Sequence, residues 1–224
     1  MLFKRGFTLT GASVKWAELF GLHRAETIWV LGSGPSLNYI DGSLFDDKTT
    51  VTTNFSARAL GVRADYAFTH YHANAANLLN DSGCVVTIEH DTKTFKPWGG
   101  YETEELVLAP TPYDRPPGSS WNPLTSHTPG PGQITYGSSS LHGAMHLAAH
   151  LGASHIMLVG ADCGTLDGEH RVKDYPDGDK LWGLYNKHHK LMKDYLQENY
   201  AVKIYSLNPF INLNLEGHTF EGVS

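Results

Sequence analysis

The sequence predicts an α/β fold in which a mainly parallel sheet is flanked by helices. Three observations predict it. Short apolar runs rich in β-branched residues recur along the chain. Most lack strict apolar–polar alternation, as do strands buried on both faces of a parallel sheet. Helical patterns separate several of the runs, the arrangement of doubly wound α/β domains. A length of 224 residues, with 41% hydrophobic and 18% charged residues, suits one domain with a sizeable core. A single α/β domain over 1–224 is therefore expected.

In chain order, a short helix is expected over 14–20, then a first strand over 27–31 (TIWVL). Further strands are expected over 49–53 (TTVTT), 66–69 (YAFT), 84–88 (CVVTI) and 106–109 (LVLA). From 110 to 132 the chain carries seven prolines among glycines and serines, a density that neither helix nor central strand tolerates. That stretch reads either as a lid or binding loop or as a solvated surface excursion. A helix follows over 139–151, because Leu141, Ala144, Met145, Ala148 and Leu151 share an arc and Gly152 supplies a stop. The next strand is expected over 155–159 (HIMLV). A long helix over 180–199 presents Leu181, Leu184, Tyr185, His188, Met192 and Tyr195 on one face, and a last strand lies over 203–205.

The net charge of −6 is mild and carries no dense basic face, which argues against a nucleic-acid backbone as main partner. Neither a secretory signal nor a membrane span is evident, so a cytoplasmic protein is expected. The two cysteines, Cys84 and Cys163, read as reduced thiols packed near the core.

The first strand runs directly into Gly32-Ser33-Gly34-Pro35-Ser36-Leu37. A parallel α/β sheet places its ligand crevice at the carboxyl ends of its strands. Glycine permits close backbone approach, and successive N–H groups with the Ser33 and Ser36 hydroxyls form a candidate anion cradle. Pro35 suits the first turn of a following helix, whose positive end favours an anion. The loop lacks the Lys of a Walker A motif, and Leu37 stands where a dinucleotide fingerprint needs glycine. A tight strand–helix turn explains the same residues without a ligand.

Other segments extend the pattern. Thr53-Asn54-Phe55 follows the second strand, and Tyr136-Gly137-Ser138-Ser139 opens the helix that ends at Leu151-Gly152. Ile156 to Asp162 reads IMLVGAD, and Tyr195 to Tyr200 precedes Lys203 to Leu207 (KIYSL). With the loop, this ordered set resembles the bacterial sialyltransferases of glycosyltransferase family 42 and the related superfamily around the archaeal 6-hydroxymethylpterin pyrophosphokinase. The match covers roughly residues 27–207, sparsely.

The resemblance implies a Rossmann-like, GT-A-like fold and a glycosyltransferase-like enzyme. Its partners would be a nucleotide-sugar donor, CMP-linked in the sialyltransferases, and a glycan acceptor. No cofactor is implied, since the sialyltransferases lack an obligatory metal-binding DxD motif. Gly32, Ser33, Gly34, Pro35 and Ser36 would hold the donor's phosphate region. Asn54 would approach the ribose or phosphate, and Ser138 and Ser139 would line the crevice. Asp162 ends a strand that reads as buried, where an unpaired charge is costly, so it is expected to hold a loop or a substrate hydroxyl. The sialyltransferases carry paired tyrosines after the strand ending in Asp; here one, Tyr175, follows Asp162. Tyr175 would hydrogen-bond the leaving phosphate and His170 would be the general base, with His188 and His189 as alternatives. A pyrophosphokinase-like diphosphotransferase using ATP and Mg²⁺, and a nucleotide-binding protein without catalysis, are the alternative readings.

Acids and histidines outside that set read both ways. Asp174, Asp177 and Asp179 suit Mg²⁺ or a hydrophilic turn. His70-Tyr71-His72 follows a strand end, where ligands gather. His142, His146 and His150 recur every four residues. They are expected to form a solvated polar stripe opposite the apolar arc rather than a metal site.

Overall fold

The computed structural model describes residues 15–88, 106–109, 132–135, 139–173, 175 and 182–207. Among the described residues seven strands, β1 (Thr27–Leu31), β2 (Thr49–Thr53), β3 (Ala64–Thr69), β4 (Ser82–Ile88), β5 (Leu106–Ala109), β6 (His155–Val159) and β7 (Lys203–Ser206), form one sheet. Its order is β5-β4-β3-β2-β1-β6-β7, and every pairing is parallel. The chain therefore builds outward from β1 to β5, then returns to the other side of β1 as β6. Such a reversal opens a crevice at the carboxyl ends of the strands on either side of it. β1, β2 and β6 flank that point.

Four α-helices are described: α1 (Ser56–Ala59), α2 (His72–Leu78), α3 (Ser140–His150) and α4 (Trp182–Tyr200). The Ser139 side chain accepts from the Leu141 amide and so satisfies one free donor of the first turn of α3. Gly152, at φ 96°, ends it. The 14–20 segment forms a 3₁₀ turn over Trp16–Leu19.

The core has two faces, set by strand alternation. On one, Ile28, Val30, Val51, Tyr66, Phe68 and Val86 pack with Leu141, Met145 and Ala148 of α3, beneath Met192 and Leu196 of α4. Trp29, Leu31, Met157 and Val159 face the opposite way, against Leu37, Phe45 and Val172. Helix α3 lies hard on β3: a Cβ built on Gly143 would stand 2.1 Å from Phe68 Cε1. Glycine is required there by space.

The histidine stripe differs from expectation. All of α3 is buried, His142, His146 and His150 included. His142 Nε2 meets His189 Nδ1 at 2.7 Å, and His146 Nδ1 accepts the Thr135 amide at 2.9 Å. His146 Nε2 lies 2.8 Å from the Tyr200 hydroxyl. His150 bonds the Trp16 carbonyl and stacks on the Trp16 ring at 3.7 Å. A polar face reads as solvated only while nothing covers it; here α4 and the N-terminal turn cover it and supply polar partners. Among the described residues no group of three or more His, Cys, Asp or Glu is placed to hold a metal ion. No helix among them is long and apolar enough to cross a membrane. Cys84 and Cys163 form no disulfide; the former is buried and the latter half-buried.

Candidate functional site

The glycine loop sits at the sheet reversal, but the amides of Gly32, Gly34, Ser36 and Leu37 are already committed. Gly32 N donates to Val159 O at 2.7 Å and Gly34 N to Gly160 O at 2.7 Å, prolonging the β1–β6 pairing past the strand ends. Pro35 has no N–H. Ser36 N donates to Asp162 Oδ2 and Ser36 Oγ to Asp162 Oδ1, each at 2.6 Å, and Leu37 N donates to Gly34 O. The anion in this turn is the protein's own Asp162 carboxylate, bound by charge-assisted hydrogen bonds.

The glycines have a steric explanation. A Cβ on Gly32 would lie 2.4 Å from Gly160 O, and one on Gly34 would lie 2.5 Å from Asp162 Oδ2. Pro35 opens only a five-residue 3₁₀ turn, Pro35–Tyr39, in place of the expected helix. The expectation that the backbone of Gly32, Gly34 and Ser36 offers free donors to a phosphate is thereby corrected. The loop–Asp162 unit forms the floor of the crevice.

Polar side chains converge around that floor. Asn54, at the end of β2, adopts a left-handed φ of 45°. A carboxamide tolerates this conformation better than most side chains. Its Oδ1 accepts from Thr69 Oγ1 at 2.8 Å and its Nδ2 donates to Ser140 Oγ at 3.2 Å. His70 Nδ1 meets the same Ser140 hydroxyl at 2.8 Å, tying the end of β3 to the start of α3. Ser139 is brought to this corner, where its hydroxyl caps α3. Ser138 lies outside the described residues.

From the far side, the segment after Asp162 folds back over the loop. Val172 N donates to Ser33 O at 2.9 Å, and Lys173 N to Asn38 Oδ1 at 2.8 Å. Arg171 Nη1 reaches Ser33 Oγ at 3.4 Å, and the guanidinium lies 5.4 Å from the centre of the Tyr175 ring. The Tyr175 hydroxyl meets the side chains of Asn54 and Ser33. Burial pushes its pKa up; the Asn54 bond, the Arg171 charge and the Ser33 bond oppose that rise. The phenol is thus a neutral donor. Asn38, Glu169, His170, Arg171, Val172, Lys173 and Tyr175 line a cleft of about 500 Å³ beside it.

The structure therefore brings together Ser33, Asn54, Ser139, Asp162, His170 and Tyr175 from the candidates read in the sequence. His188 and His189 are buried, and His189 spans His142 and Cys163 Sγ, the latter at 3.0 Å. They belong to the core. Asp174, Asp177, Asp179 and residues 110–131 lie outside the described residues. Arg171, Thr69, Ser140 and Asn38 were missed, because no local spacing marks them; only proximity to His170 and Ser139 in sequence hinted at two of them.

Two solved structures share the fold. The Maf glycosyltransferase from Magnetospirillum magneticum matches with a TM-score of 0.54 at 14% identity, over 86% of this chain and 35% of its own. This chain spans about a third of that protein's length. The sialyltransferase CstII from Campylobacter jejuni, in complex with the substrate analogue cytidine-5'-monophosphate, matches with a TM-score of 0.50 at 17% identity, over 85% of this chain and 83% of its own. At such identities the likeness establishes an α/β, Rossmann-like fold of the kind seen in these glycosyltransferases. No family model matches the sequence, and no curated protein matches it.

Proposed function

We propose that this chain is a glycosyltransferase-like enzyme of the family 42 type, and that a nucleotide-activated sugar, CMP-linked first among candidates, binds at the carboxyl ends of β1, β2 and β3. The supporting observation is the convergence of Ser33, Asn54 and Tyr175 at the sheet reversal, on a fold shared with two glycosyltransferases. Asn54 both donates and accepts, which suits ribose or phosphate recognition, and Ser139 stands at the same corner. Ser36, Pro35 and the glycines act through the floor they build with Asp162.

In the proposed reaction the acceptor hydroxyl attacks the anomeric carbon of the donor sugar. The bond from that carbon to the phosphate oxygen breaks. His170, in the cleft beside Tyr175, takes the hydroxyl proton, a task suited to imidazole. The neutral Tyr175 phenol donates a hydrogen bond to the departing phosphate, where negative charge grows.

Thermal unfolding with CMP, CDP, UDP, GDP, ATP and a pterin, each with Mg²⁺ or with EDTA, tests the reading. A ligand at 100 times its Kd stabilises a fold by roughly 2.7 kcal/mol. Stabilisation by CMP in EDTA is expected. A response confined to ATP or pterin with Mg²⁺ would refute it. Donor hydrolysis that disappears in His170→Ala separates an enzyme from a binding protein.

A further inference from the structure

The committed loop leaves the site with an electrostatic problem. The Gly32, Gly34, Ser36 and Leu37 amides serve protein acceptors, and the floor holds the buried Asp162 carboxylate, a charge that repels any anion brought near it. The chain as a whole is acidic, at −6. A site for an oxyanion here needs a cation supplied by another segment. We infer that Arg171 is that cation: its guanidinium binds an oxyanion of the substrate beside Ser33 Oγ and Tyr175.

The placement is built rather than incidental. The backbone immediately after Arg171 is anchored, through Val172 N to Ser33 O and Lys173 N to Asn38 Oδ1. The guanidinium touches the Ser33 hydroxyl and lies over the Tyr175 ring, which holds the planar group in one orientation. Two neutral hydroxyl donors, Ser33 and Tyr175, thus flank one fixed charge at the wall of the cleft. A guanidinium fork matches phosphate or carboxylate by paired hydrogen bonds, which a point charge does not.

The inference rests on the nucleotide-sugar reading for the identity of its ligand, since either the nucleotide's phosphate or a carboxylate on the sugar supplies the oxyanion. Calorimetric titrations of the full chain with CMP, cytidine, N-acetylneuraminate and inorganic pyrophosphate distinguish these sources. They are repeated with Arg171→Met, which keeps the apolar stem, and Arg171→Lys, which keeps charge without the fork. Loss of a charge-assisted contact lowers affinity by about tenfold or more. If the phosphate is recognised, CMP weakens by at least that factor in Arg171→Met, cytidine is unmoved, and Arg171→Lys falls between. If the carboxylate is recognised, N-acetylneuraminate weakens instead. Binding of wild type to CMP with neither CMP nor N-acetylneuraminate weakened in Arg171→Met, or an equal loss for cytidine, overturns the inference and leaves the nucleotide reading intact. Failure of wild type to bind CMP, with an Arg171-dependent response to pyrophosphate or N-acetylneuraminate, defeats the nucleotide reading and supports the anion site. No response of wild type to any of the three anions overturns the inference.

Discussion

Lowering the pH from 7.5 to 5 should remove about 4 kcal/mol of stability through two buried histidines. Burial, with a smaller push from His150, lowers the pKa of His146 to about 3. Burial, with a smaller push from His188, takes His189 to about 3 as well. Both are therefore neutral in the fold. The Thr135 amide already donates to His146 Nδ1, so a proton added there has no acceptor. In the unfolded chain an imidazole titrates near 6.5. Below that pH the unfolded state binds protons the folded state refuses, so stability is full above 6.5 and falls as pH drops towards 3.

For each residue the loss at pH 5 is RT ln(1 + 10^1.5), about 2 kcal/mol, and the slope approaches about 1.4 kcal/mol per pH unit. His150 and His188, likewise lowered chiefly by burial, add in the same direction. Stopping at pH 5 keeps most carboxylates, which titrate near 4, out of the measurement. Urea unfolding followed by tryptophan fluorescence at pH 7.5, 6 and 5 reads the effect. His146→Asn and His189→Gln should each flatten the pH dependence by about 2 kcal/mol between the end points, whatever each costs at pH 7.5. Equal stability of wild type at pH 7.5 and 5, or an unaltered pH slope in both variants, would refute the reasoning.

Two further perturbations test the packing beneath the site. Asp162→Ala strands the Ser36 amide and hydroxyl in a buried turn, so a loss of about 3 kcal/mol in chemical denaturation is expected; unchanged stability would contradict its role in anchoring the loop. Gly143→Ala should destabilise by about 2 kcal/mol because its Cβ would meet Phe68, although the same change in an exposed helix gains about 1 kcal/mol. Phe68→Leu should relieve part of that loss, which appears as coupling in a double-mutant cycle.

Local pattern carried most of the architecture. The strands stand where continuous β-branched runs stand, because a strand covered on both faces needs apolar side chains on both. Residues Ser139 and Gly152 bracket α3 in the sequence because a cap and a left-handed stop are local requirements. The crevice was legible in outline too, since the loop after β1 and Asn54 after β2 lie at strand ends. What the amides of that loop bind was not legible. Ser36 and Asp162 lie 126 residues apart, and only the β1–β6 pairing makes the carboxylate, rather than a ligand, the anion in the turn. The three histidines of α3 look like a wet face until α4 and Trp16 bury them. Arg171 carries no signature at all until its chain segment folds back on Ser33. Propensity and periodicity act between neighbours in sequence, so they determined the elements. Hydrogen-bond satisfaction and charge balance act between neighbours in space, and those the tertiary structure alone decided.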